Sequence, residues 1–162
     1  MKSIVIYYSF EGDTKLIGDA IAEEIGADIL ELKPVVKISS KEYMKNYLGE
    51  KQVLMKTTPL LKPYDIKLEE YDLLIFGTPI WSGTYAPALR TFFTDNKIEG
   101  KKIGLYFCFT VKAGLISKHL REALIGNEII NEIGFTDPLK KDRNKAILKA
   151  KKWGKFLMET IQ

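Results

Sequence analysis

The sequence predicts one α/β domain, a five-stranded parallel sheet held between two layers of helices in a doubly wound, three-layer sandwich. Three observations carry that reading. Short apolar runs rich in β-branched and aromatic residues recur along the chain, as in SIVIYY at 3–8 and YDLLIFG at 71–77. Such runs lack polar alternation, which marks strands buried on both faces of a parallel sheet. Between them lie stretches whose apolar residues return every three or four positions, the period of a helix with one buried face. Strand and helix patterns alternate along the chain, as crossover-connected parallel strands require.

The elements follow in order. After the first strand, 3–8, comes a polar loop, 9–13. From Thr14 onward, Leu16, Ile17, Ala20, Ile21 and Ile25 form an apolar stripe that Gly26 closes. Residues 28–32 make a second strand, so the chain opens with a βαβ unit whose crossover is right-handed. From Pro34 to Pro63 the pattern is less regular. Tyr43, Met44, Tyr47 and Leu48 suggest one amphipathic helix, whereas two prolines keep 57–63 mostly irregular. The third strand, 71–77, leads into a loop at 78–85 and a helix at 86–93 that accommodates Pro87 in its first turn. Residues 102–109 are the fourth strand, 115–124 a helix, and 128–133 a short fifth strand expected at a sheet edge. The final helix, 141–161, places Ile147, Ala150, Trp153, Leu157 and Ile161 on one face.

A chain of 162 residues suits a single domain spanning 1–162, large enough to bury a core without a disulfide or a metal. Cys108 is the one cysteine, so no internal disulfide forms, in keeping with a reducing compartment. No stretch reads as a signal peptide, and no apolar run approaches the roughly 20 residues of a membrane helix. The expectation is a cytoplasmic protein that engages no membrane. The net charge is +4 and the pI about 9.0. The excess gathers at the last helix, in Lys140, Lys141, Arg143, Lys145, Lys149, Lys151, Lys152 and Lys155. Its regular apolar stripe favours a solvated face over a nucleic-acid site, and no zinc-finger or RNA-binding signature accompanies it.

In doubly wound sheets, ligands sit beyond the C-terminal ends of the strands, where the strand order reverses. Three loops matter for that reason. The first, SFEGDT at 9–14, joins a buried strand to a helix. A helix N-terminus presents unpaired N–H groups and a partial positive charge. Ser9 and Thr14 add hydroxyls, Phe10 and Glu11 are further candidate cofactor contacts of the loop, and Gly12 lets the backbone approach a ligand closely. The result suits a phosphate, although the same residues make an ordinary strand-to-helix turn with Asp13 as N-cap. The spacing matches neither the dinucleotide GxGxxG fingerprint nor the Walker loop.

The second loop, TPIWSGTYAP at 78–87, sets Thr78, Pro79 and Ile80, as candidate cofactor contacts, before Trp81. An indole at a loop tip either stacks on an aromatic ligand or tucks into the core. Ser82 and Gly83 after it give the backbone freedom. The third loop, FCFTVKAG at 107–114, places Phe109 and Thr110 to line the edge of a flat ligand. Backbone groups up to Gly114 are placed to hydrogen-bond its polar rim. Cys108 reads as a small core residue. His119 reads as structural or surface, and no metal-ligand spacing is present.

On these residues the sequence resembles the flavodoxin family, particularly its shorter bacterial and archaeal members. The likeness rests on YYSFEGDT, YDLLIFGTPIWSGTYAP, YFCFT and KTTPLLKPYD, and it covers nearly the whole chain. It implies a sheet of order 2-1-3-4-5 and FMN as cofactor. It further implies that Ser9, Glu11, Gly12, Asp13 and Thr14 hold the ribityl phosphate, that Trp81 lies against the isoalloxazine, and that Ser82-Gly83 sits near its N5 edge. Three features depart from the family pattern. Asp13 stands where the phosphate loop usually carries Asn. The third loop lacks the Ser-Gly-Gly and the covering tyrosine of relatives. The chain is basic where the family's electron carriers are acidic. Beside a phosphate, Asp13 is expected to turn away and accept hydrogen bonds from the following helical turn, and Glu11 to point outward.

The function implied is an FMN-binding redox protein, a one-electron carrier serving redox partner proteins, with no catalytic side chain of its own. In such proteins the flavin supplies the chemistry and the chain supplies orientation and electrostatics. An FMN-dependent NAD(P)H or quinone reductase is the alternative, because the missing tyrosine leaves a flavin face open. A binding module on the same fold without flavin is the third reading.

Overall fold

The computed structural model describes residues 1–37 and 58–162. The helix expected around Tyr43 and Leu48 lies outside the described residues. Strand β1 (Ser3–Tyr7) is buried along its whole length. Ile4 and Ile6 enter one apolar layer, Val5 and Tyr7 the other. The same division holds in β3 (Leu73–Trp81) and β5 (Lys102–Phe109), where Phe76 and Leu105 face one layer and Ile75 and Tyr106 the other. Two-sided burial is why these runs carry no polar alternation.

Helix α1 (Asp13–Ile25) follows β1 and ends on Gly26, whose φ of 66° is left-handed. Then come β2 (Asp28–Glu31), a 3₁₀ turn at Leu68–Glu70, β3, and the short β4 (Thr84–Tyr85). Helix α2 (Pro87–Asp95), β5, α3 (Ile116–Ala123), β6 (Glu128–Thr136) and α4 (Arg143–Ile161) complete the order. The sheet runs β2-β1-β3-β5-β6, all parallel, with β4 antiparallel on β3. Setting aside that hairpin strand, this is the expected 2-1-3-4-5 order. Helices α1 and α4 cover one face through Ile17, Ile21, Trp153 and Leu157. Helices α2 and α3 cover the other through Leu89, Phe92, Ile116 and Leu120. No helix among the described residues is long and apolar enough to cross a membrane.

Two elements differ from the sequence expectation. Strand β3 does not stop at Gly77. It pairs with β5 as far as Pro79 and then folds back as a hairpin, with Ile80 opposite Tyr85 and Trp81 opposite Thr84. Ser82 (φ 50°) and Gly83 (φ 76°) form its turn. Two consecutive positive φ values suit a two-residue hairpin turn, so the segment taken as a loop is mostly ladder. Strand β6 is at the edge, as expected, but runs nine residues, because β5 offers it partners as far as Phe109 opposite Thr136.

One glycine ties the sheet to the first loop. Gly77 lies between Tyr7 on β1 and Tyr106 on β5. A Cβ there would run into the Tyr106 ring. In the space that Gly77 leaves, the Tyr106 ring reaches α1 and its hydroxyl donates to the Thr14 carbonyl at 3.0 Å. A gap in the central strand thereby anchors the first turn of α1, where the polar loop ends.

Candidate functional site at the carboxyl edge of the sheet

The loops after β1, β3 and β5 converge at one end of the sheet, as the switch-point rule requires. A cleft of about 170 Å³ opens there between Phe10, Glu11, Asp13 and Thr14 of the first loop, Pro79, Ile80 and Trp81 of β3, and Cys108, Phe109 and Thr110 of β5 and its loop. Asp137, beyond β6, closes it. A second cleft of about 420 Å³ adjoins it, lined by Ile80, Ser82, Gly83, Phe109, Thr110 and Gly114 together with Val111 and Lys112. Ile80, Phe109 and Thr110 line both, so the two clefts adjoin along these residues.

At the first loop, Gly12 adopts φ 106° and α1 begins at Asp13. The amides of Asp13 and Thr14 open the helix and have no acceptor within it. Ser9 supplies the cap that the sequence suggested for Asp13: its Oγ accepts from Lys15 N at 3.1 Å. The Ser9 hydroxyl proton stays available to a ligand. Asp13 is not the N-cap and does not accept from the following turn. Its Oδ1 accepts from Leu139 N at 3.0 Å, in the segment between β6 and α4. Because Gly12 takes the left-handed conformation, Asp13 becomes the first helical residue, one position too late to cap its own helix. Glu11 is exposed.

Thr14 is only 1% exposed and neighbours the Cys108 thiol. Burial, with the Asp13 charge second, pushes that thiol up to about 12, against a smaller downward pull from Thr14. Cys108 therefore keeps its proton at neutral pH, and the native state does not share the ionisation that the unfolded chain gains near 9. The sign follows from linkage: any stability tied to the protonated thiol is complete below about 9 and is lost as pH rises towards about 12. Alkylation of native protein at pH 8 is expected to be far slower than that of urea-unfolded protein, and equal rates would place the thiol in solvent.

The second loop corrects two expectations. Thr78 is buried, and its Oγ1 donates to the Pro79 carbonyl (2.7 Å) while accepting from Ala86 N (2.9 Å). It fastens the base of the hairpin and lines neither cleft. Trp81 is not at a loop tip. It ends β3, is 4% exposed, and meets Tyr8 and Phe10 edge-on, each at 5.6 Å between ring centroids. Its exposed margin forms the floor of the first cleft. Phe109, half-buried, is the aromatic ring common to both clefts. The hairpin and the third loop are joined by Leu115 N donating to the Gly83 carbonyl at 3.2 Å. A Cβ on Gly114 would come within 2.9 Å of Gly83 Cα, so Gly114 lets the two loops touch.

The sequence reading missed Asp137. It accepts from Thr110 Oγ1 through Oδ1 at 3.0 Å and lines the cleft. The Asp-Pro dipeptide after an apolar run was the available signal, since it favours turn initiation. His119, half-buried on α3, lines neither cleft. The first cleft is thus lined by three acidic residues, Glu11, Asp13 and Asp137, and the donors offered to an anion are the helix-opening amides and the Ser9 hydroxyl. The donor set fits a phosphate monoester held by helix-end amides and a hydroxyl. The carboxylates oppose a strongly charged guest.

Known proteins share this fold. The family model for flavodoxin matches residues 2–129. The chain is similar to a flavoprotein from Lactobacillus acidophilus NCFM crystallised in complex with FMN. That pair shares 24% identity at a TM-score of 0.71, over 88% of this chain and 97% of the other. A candidate flavoprotein from Bacteroides eggerthii shares 20% identity at a TM-score of 0.77, over 97% and 98% of the two chains. A flavodoxin from the domain Archaea shares 18% identity at a TM-score of 0.60, over 99% of each.

Proposed function

This chain belongs to the flavodoxin family, and we propose on that premise that it is an FMN-binding redox protein, a one-electron carrier serving partner proteins. The observation that carries the reading is the pair of adjoining clefts, with the helix-end anion cradle beside the first and Ile80 and Phe109 common to both. The Lactobacillus acidophilus flavoprotein, which binds FMN, supports it. FMN bound there supplies the electron chemistry, and the chain orients it. The amides of Asp13 and Thr14 and the Ser9 hydroxyl hold the phosphate. Ile80, Phe109, Ser82, Gly83 and Trp81, which line the two clefts, would hold the flat ring. The tie between Gly83 and Leu115 draws the hairpin and third loop together. That favours an opening at the ring's edge, where an electron passes, over a bare face that seats a second substrate ring. The lysines of α4 form a solvated face, and no nucleic acid or membrane is assigned as partner.

Visible-absorbance titration tests the reading. FMN is expected to bind at least about tenfold more tightly than riboflavin, because only FMN uses the cradle. Equal affinities would remove the phosphate assignment. Sustained NAD(P)H oxidation by the FMN-loaded protein would favour a reductase over a carrier.

A further inference from the structure

We propose that Asp13 is a positioning residue whose carboxylate clamps the strap at 137–141 onto the first loop and so shapes the anion end of the first cleft. The inference rests on the FMN reading only for the ligand; the clamp belongs to the chain itself. The strap links β6 to α4 and is fixed at both of its neighbours. On the β5 side, Asp137 N donates to the Phe109 carbonyl at 3.0 Å, and Thr110 Oγ1 donates to Asp137 Oδ1 at 3.0 Å. On the α1 side, Leu139 N donates to Asp13 Oδ1 at 3.0 Å, across 126 positions of sequence.

The strap's own shape suits this double attachment. Asp137 takes φ 41°, in the left-handed region that non-glycine residues enter only at a cost. Its carbonyl accepts from both Lys140 N and Lys141 N, each at 3.0 Å. The turn so formed presents the Leu139 amide to Asp13. Leu139 also lies over Gly12, where an added Cβ would come within 3.2 Å of its Cδ1. Release of the Asp13 bond frees the strap on one side and leaves Asp137, a wall of the first cleft, held by β5 alone.

Chemistry separates this role from direct binding. An ionised carboxylate only accepts hydrogen bonds, and so does a phosphate oxygen carrying no proton. The Asp13 side chain therefore acts on a phosphate only through the strap it holds at Leu139 and through its charge, apart from the backbone amide of the same residue. The two effects are separable. Asp13→Asn removes the charge but keeps an acceptor oxygen for Leu139 N, whereas Asp13→Ala removes both. Comparison of the two variants isolates the clamp.

The test measures FMN and riboflavin dissociation constants for both variants, with amide hydrogen exchange at Leu139 in the flavin-free proteins. Asp13→Asn is expected to bind FMN up to about tenfold more tightly than wild type, since one nearby like charge is gone. Asp13→Ala is expected to bind FMN about tenfold more weakly than Asp13→Asn, the scale of a lost hydrogen bond to a backbone amide, with riboflavin alike in both. The Leu139 amide should exchange slowly in wild type and Asp13→Asn and fast in Asp13→Ala. Equal FMN affinity in Asn and Ala variants, parallel weakening of riboflavin, or equal Leu139 exchange would overturn the proposal. If Asp13→Ala does not fold, Leu139→Pro deletes the donor and keeps Asp13. It should cut the preference for FMN over riboflavin by about tenfold, and an unchanged preference overturns the clamp. Wild type without any preference for FMN would sink the phosphate assignment instead, while Leu139 exchange still decides the clamp.

Discussion

Trp81→Ala is expected to lower the unfolding free energy by about 3–5 kcal/mol, the range for removing a large aromatic from a core, and to weaken FMN binding as well. The stability loss follows from position. Trp81 is 4% exposed at the end of β3, within the layer that holds Tyr8, Leu89 and Phe107. Tyr8 and Phe10 each meet it edge-on at 86° between ring planes, an arrangement that adds to simple burial. The binding loss has a different origin. Without the indole, the floor of the first cleft drops, and Phe10 on the first loop loses its contact. Urea denaturation of the flavin-free protein and FMN titration measure the two effects separately. Trp81→Phe should recover much of the stability. Unchanged stability with collapsed FMN affinity would mean that the indole serves the ligand and not the core.

Gly77→Ala should cost at or above the upper end of the roughly 1–3 kcal/mol typical of overpacking. The added methyl would enter the Tyr106 ring, which is fully buried and hemmed in by α1. Neither β1 nor β5 has slack to move away, since Gly77 pairs with both. The displaced ring would also withdraw its hydroxyl from the Thr14 carbonyl, so the first loop should loosen along with the core. A double-mutant cycle with Tyr106→Leu tests the cause. If the clash is the mechanism, Gly77→Ala costs far less on the Tyr106→Leu background. Equal costs on both backgrounds would show that glycine matters here for some other reason.

Much of this molecule was legible in its sequence because parallel strands and amphipathic helices write their burial into local periodicity. SIVIYY and YDLLIFG declare two-sided burial whatever they pack against, and the stripe from Leu16 to Ile25 declares a helix with one covered face. The switch-point rule then directs attention to the loops after β1, β3 and β5 without any coordinates, and those loops do line two adjoining clefts. What lay beyond the sequence was which partner each side chain meets. Thr78 was a candidate ligand until Ala86 N was seen to occupy it. Trp81 was a loop tip until the hairpin carried β3 past Gly77. Asp13 was a cap for its own helix until Leu139, distant in sequence, supplied the donor. Asp137 carried no signal beyond a turn-forming dipeptide. Periodicity is a property of neighbours along the chain, so a sequence reports it directly. A hydrogen bond between α1 and the segment before α4 depends on how two helices settle on one face of the sheet, and only the packed tertiary structure decides it.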